Sequence, residues 1–116
     1  KRICDHQAIA FKLAEIEIAT QSARYAVQRS AWEVDTQTNG MGTYHASVAK
    51  ALASENCLRV VNDAVQIFGG AGFNSEYPVE KLYRQRSLVP IEPPRAGPTL
   101  NLCRLASSQV RSTCET

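Results

Sequence analysis

Residues 44–72 read Tyr-His-Ala-Ser-Val-Ala-Lys-Ala-Leu-Ala-Ser-Glu-Asn-Cys-Leu-Arg-Val-Val-Asn-Asp-Ala-Val-Gln-Ile-Phe-Gly-Gly-Ala-Gly, and this stretch decides the fold. Val48, Ala49, Leu52, Ala53, Cys57, Leu58, Val60, Val61, Ala64, Val65 and Ile67 cover most of a helical circumference. Only a narrow polar strip is left, at Glu55, Arg59, Asn62 and Gln66. A helix that is apolar nearly all round is a buried one. Ala46, Ala49, Ala51, Ala53 and Ala64 permit close approach of neighbouring helices, and Thr43 is placed to cap the first turn. Gly69, Gly70 and Gly72 end the run. Glycines so placed either terminate a helix or let backbone come close to another group, a phosphate being a common one.

Upstream, apolar or small residues recur at Ile9, Leu13, Ile16, Thr20, Ala23, Val27, Ser30 and Val34. The alternating steps of four and three predict a helix packed lengthwise on another. Asp5 is placed to cap it, and no Gly or Pro interrupts residues 1–39, so the helix spans 6–36 and is about 45 Å long. Asn39-Gly40-Met41-Gly42 breaks it before the second helix, 43–68. Phe11 and Trp32 are expected in the core, and His45, with no carboxylate or cysteine partner in sequence, at the surface. Pro78 opens a short third helix, at a position where a missing N–H costs nothing. Glu76 and Glu80 suit the start of that helix through its dipole and are not read as catalytic.

Two helices cannot cover both sides of the second one, so its remaining partners are expected elsewhere, and the isolated chain is expected to self-associate or to behave as a molten species. From Gln85 the character changes. Pro90, Pro93, Pro94 and Pro98 with Gly97 argue against helix, and only a turn or two is expected within 100–110. Residues 1–84 therefore read as a partial helical domain and 85–116 as an irregular or disordered tail.

A chain of 116 residues with 44% apolar content and net charge +2 is one globular domain or part of one, with no charge argument for nucleic acid or an anionic membrane. No apolar run approaches the roughly 20 residues of a membrane span. Cys4, Cys57, Cys103 and Cys114 have no C-x-x-C spacing and do not pair with His6 or His45 at zinc-like intervals, so no metal site is expected and the thiols read as reduced. The chain begins at Lys1 and reads as a fragment or excised piece.

Five segments in order carry a resemblance: His6 to Glu15, Arg29 to Asp35, Ser47-Val48-Ala49-Lys50-Ala51, Asp63 to Gly70, and Glu76 to Leu82. Together, over about residues 5–84, they resemble the carboxy-terminal helical domain of acyl-CoA dehydrogenases, with the medium-chain and short-chain members most alike. The resemblance implies an all-α fold: an incomplete bundle made of a long antiparallel helical hairpin plus a short third helix, with an irregular proline-rich tail. It implies an FAD-dependent oxidoreductase of fatty-acid β-oxidation in the mitochondrial matrix, acting by α,β-dehydrogenation of acyl-CoA thioesters. The family works as an oligomer and passes electrons to an electron-transfer flavoprotein. By the same resemblance Gln7 and the turn Gln66, Ile67, Phe68, Gly69 and Gly70 contact FAD held mainly by a neighbouring subunit. Gln7 reads equally well as a polar first-turn residue. On spacing alone Gly69 and Gly70 read as a helix end; with the surrounding motifs they read as a cofactor contact.

After Arg84 the family continues into a Glu-Gly-Thr turn whose glutamate is the catalytic base. Here Gln85-Arg86-Ser87-Leu88-Val89-Pro90-Ile91-Glu92-Pro93-Pro94 follows, in the manner of a change of reading frame or splicing. Glu92 falls one place early and is followed by two prolines, so no catalytic residue is assigned. The isolated chain is expected to be inactive and not to retain FAD. The alternative is a non-catalytic helical module that associates with intact acyl-CoA dehydrogenase subunits.

Overall fold

A computed structural model describes residues 2–36, 42–86 and 96–115. After a 3-10 turn at Ile3–Asp5, α1 runs over Gln7–Thr36 and α2 over Gly42–Phe68. A second 3-10 turn, Gly69–Phe73, leads to α3 (Pro78–Arg86), and α4 spans Ala96–Glu115. The all-α class stands, and the described residues contain no strand.

The two long helices form an antiparallel hairpin. Lys12 Nζ lies 2.6 Å from Asp63 Oδ1. Further along, Asn56 Nδ2 donates to the Ala19 carbonyl and to Ser22 Oγ, both at 2.9 Å. At the far end His45 Nε2 is 3.6 Å from Glu33 Oε1. The partners thus run in opposite directions along the two helices, and the molecule is elongated, 54 × 25 × 18 Å. Along α1 the buried residues are Ile16, Ala19, Thr20, Ala23 and Glu33, with Ile9, Leu13, Val27 and Ser30 half-buried.

Both sides of α2 are covered. Ala49, Ala53, Cys57, Val60, Val61, Ala64 and Ile67 are all at most 3% exposed. One wall is α1. The other is α4, which buries Leu102, Cys103, Ala106, Ser107 and Val110. Cys103 Sγ comes within 3.9 Å of the Ala53 carbonyl, so the small residues of α2 receive α4 closely. Val79 and Leu82 of α3 join the same core.

Four expectations are corrected. Residues 96–115 are helical and packed rather than irregular, because Pro98 falls in the first turn of α4, where backbone N–H groups have no intrahelical acceptor. Beyond it, Leu102, Cys103, Ala106 and Val110 recur at helical spacing. Pro90, Pro93, Pro94, Glu92 and the Asn39–Met41 break lie outside the described residues. Phe11 and Trp32 are 61% and 51% exposed, not core. With Ile18 and Tyr25 they recur every seven residues, which puts them on the face of α1 turned away from α2. His45 is half-buried, because the hairpin returns the first turn of α2 to Glu33. Asp5 does not cap α1; its Oδ2 accepts the Arg2 N–H at 3.2 Å, and α1 starts at Gln7.

Val110 is fully buried and lies on α4. Val110→Ala is expected to cost about 2 kcal/mol in denaturant unfolding of the full chain, by lost transfer energy and a cavity. A change within error would mean that α4 is not docked.

Candidate functional site

Antiparallel packing places the start of α1 and the end of α2 at one end of the molecule, and the glycine turn follows there. Asp63, 9% exposed, is held at that end by the Lys12 ammonium. A carboxylate taken this far out of water needs such a counter-charge.

The residues singled out in sequence divide by exposure. Ile67 is 3% exposed and its side chain belongs to the core. Phe68 is half-buried and meets the Tyr77 ring edge-on, centroids 5.5 Å apart at 60°. Gln7, Gln66, Gly69 and Gly70 are exposed. Neither glutamine amide has a hydrogen-bond partner among the described residues, so each presents free donor and acceptor groups. The fold brings these four to one end and leaves Ile67 and Phe68 as packing behind them.

The three glycines have different reasons to be glycine. Gly69 has φ +56°, a conformation that side chains with a Cβ rarely adopt. Gly72 is buried, and a Cβ there would stand 2.8 Å from the Val65 carbonyl oxygen and 3.0 Å from Phe68 Cβ. Gly70 has neither constraint: its φ is not positive, and a Cβ would meet nothing within 4 Å. The fold does not require glycine at 70, yet the main chain there lies bare.

Phe73 closes the turn at 89% exposed. The sequence reading passed over it, although a large apolar residue directly after three glycines is itself a signal. Gln7, Gln66, Gly69, Gly70 and Phe73 are all exposed towards one end of the molecule, a candidate wall with amide groups, accessible backbone and one aromatic ring. A flavin dinucleotide fits such a wall in part: its phosphates and sugar match the polar groups, and nothing among the described residues here closes over a ring system. Glu76 is exposed, and Glu80 Oε1 is engaged by Arg84 Nε at 2.7 Å.

None of Cys4, Cys57, Cys103 and Cys114 forms a disulfide among the described residues. Cys57 and Cys103 lie buried between α2 and α4, where the neighbouring Cys57 and burial push the Cys103 thiol up and leave it inert. Among the described residues no group of three or more His, Cys, Asp and Glu could hold a metal ion. Among the described residues no helix is long and apolar enough to cross a membrane.

Residues 1–92 match the family described as "Acyl-CoA dehydrogenase, C-terminal domain", a match that runs past Arg84, where the departure was expected. The chain is 38% identical over 91 residues to the short-chain-specific acyl-CoA dehydrogenase of Megasphaera elsdenii, covering 78% of this chain and 23% of that one. It is 44% identical over 84 residues to a subunit of the caffeyl-CoA reductase–Etf complex of Acetobacterium woodii, covering 72% and 22%. It is 38% identical over 89 residues to the 3-(aryl)acrylate reductase of Clostridium sporogenes, covering 77% and 23%. The chain thus spans less than a quarter of the length of these curated relatives. All three are bacterial, and the mitochondrial location implied by the resemblance draws no support from them. No solved structure matches the chain.

The glycine geometry separates two substitutions. Gly72→Ala is expected to destabilise the chain by about 1–3 kcal/mol through overpacking against the Val65 carbonyl. Gly70→Ala is expected to lie between neutral and about 1 kcal/mol stabilising. Equal effects in thermal or denaturant unfolding would refute this division of roles.

Proposed function

This chain belongs to the acyl-CoA dehydrogenase family, and from that premise we propose that it supplies one wall of an FAD site at a subunit interface. The assembled enzyme would be an oxidoreductase carrying out α,β-dehydrogenation of acyl-CoA thioesters. Gln66 and Gln7 would hydrogen-bond the cofactor through their amides. Gly69 and Gly70 would let it approach the main chain, and the Phe73 ring would shield it from water. When bound, the flavin supplies the two-electron acceptor that amino-acid side chains cannot. This chain's residues would bind and orient, and catalysis by the chain alone is not part of the proposal. The observation that carries the reading is Gly70, a glycine the fold does not need, towards the same end of the molecule as the exposed Gln7 and Gln66 amides.

The partner is a complete subunit of the same family, and an electron-transfer flavoprotein would meet the assembled enzyme rather than this chain. A second reading, a non-catalytic module docking on intact subunits, is favoured by the seven-residue stripe Phe11, Ile18, Tyr25 and Trp32.

The test mixes the chain with apo and FAD-loaded complete family enzyme and follows flavin absorbance through gel filtration. The expected result is no flavin retained and no acyl-CoA-dependent dye reduction by the chain alone. Co-elution with the complete enzyme is expected, and Gly70→Trp should weaken flavin retention in the mixed complex at least about tenfold. Flavin or dye activity in the chain alone would overturn the reading. Co-elution with flavin retention untouched by Gly70→Trp would leave the docking module in its place.

A further inference from the structure

On the long side of the molecule, away from the glycine turn, α1 and α4 flank an open groove of about 570 Å³. That volume lies within the roughly 300–1,000 Å³ of small-molecule sites. Its walls carry three guanidinium groups, Arg24 from α1 and Arg104 and Arg111 from α4, against a single carboxylate, Glu17. Glu17 is committed inside the wall. Gln21 Nε2 donates to its Oε1 at 2.7 Å and Arg111 pairs with its Oε2. Gln21, then Arg111 and Arg24, hold its carboxyl below the usual range, so it is ionised at neutral pH and neutralises one arginine.

Two cations remain. Arg24 and Arg104 form no salt bridge among the described residues, although Arg24 also feels the charge of Glu17, and both line the same groove from different helices. The net charge of the whole chain is only +2, so three guanidinium groups against one carboxylate at one groove are a local concentration and not a general basic surface. Asn101 lines the groove beside them and adds an amide donor.

We propose that the α1–α4 groove binds an organic phosphate through its dianionic head, gripped between Arg24 and Arg104. Planar guanidinium forks match phosphate oxygens in pairs, which point charges do not. The groove has more room than a phosphate head alone fills, and the organic part of the ligand lies against Leu105. This site is separate from the wall at Gln66 to Gly70 and does not depend on it.

The test titrates the full chain with inorganic pyrophosphate by calorimetry at fixed ionic strength. Saturable binding is expected, weakened about tenfold or more by Arg24→Gln and by Arg104→Gln, with helicity by circular dichroism unchanged. Arg59→Gln, on the exposed strip of α2, should bind as the parent does. Arg104→Lys keeps the charge without the fork and should fall between parent and Arg104→Gln. Absence of saturable binding, or equal loss in Arg59→Gln and Arg104→Gln, would overturn the site. Co-sedimentation with phosphatidic acid vesicles without pyrophosphate binding would also overturn it, by showing attraction to a charged surface.

Discussion

The rest of the structure depends on enclosing α2. Its side chains are apolar around nearly the whole circumference, and a helix of that kind is unstable unless it is walled on every side. The small residues Ala49, Ala53, Cys57 and Ala64 set how near the walls come, and all four are fully buried. Larger residues at the same places would hold α1 and α4 apart, and the contact of Cys103 Sγ with the Ala53 carbonyl would be lost. Val60 and Val61 then fill the middle of the core, each contributing on the order of 1.5–3 kcal/mol by burial.

Polar groups fix what apolar packing leaves loose. Helices can slide along one another at little cost in buried area, but Asn56 has its amide nitrogen matched to the Ala19 carbonyl and Ser22. Asp63 and Glu33 are nearly buried carboxylates near opposite ends of the hairpin, one facing Lys12 and the other Arg29 and His45. A slip by one turn would strand both charges, which is far more costly than the pairs are worth in place. Register at this level is what brings Gln7 and Gln66 to the same end. The proposed cofactor wall is therefore a consequence of how α1 and α2 lock, and the Gly69–Phe73 turn only finishes it.

Much of this was legible in the chain. The four-three stripe on α1, the all-round apolar α2 and Pro78 at the start of α3 gave element type and near-correct bounds, because each rests on local periodicity or on a residue with one structural use. Five ordered segments carried the family. What was missed depends on tertiary context. Trp32 and Phe11 are large and apolar, but a seven-residue repeat opposite the core stripe points away from it, and size alone was given too much weight. The fourth helix is hidden because proline density argues against helix, and only the fold shows that Pro98 sits in a first turn. The Glu33–His45 approach joins residues twelve apart across a chain reversal that spacing within one helix does not reveal. At the glycine turn the sequence showed three glycines together, and only the backbone separates a conformational need at Gly69, a steric one at Gly72 and none at Gly70.

The central claim is that α1, α2 and α4 form one cooperative unit around α2. Amide hydrogen exchange on the full chain tests it most directly, because protection reports the stability of each segment separately. The account predicts that amides around 102–110 are protected together with those around 53–64 and exchange with the same dependence on denaturant. Exchange of 102–110 at unprotected rates, with 53–64 still protected, would contradict it.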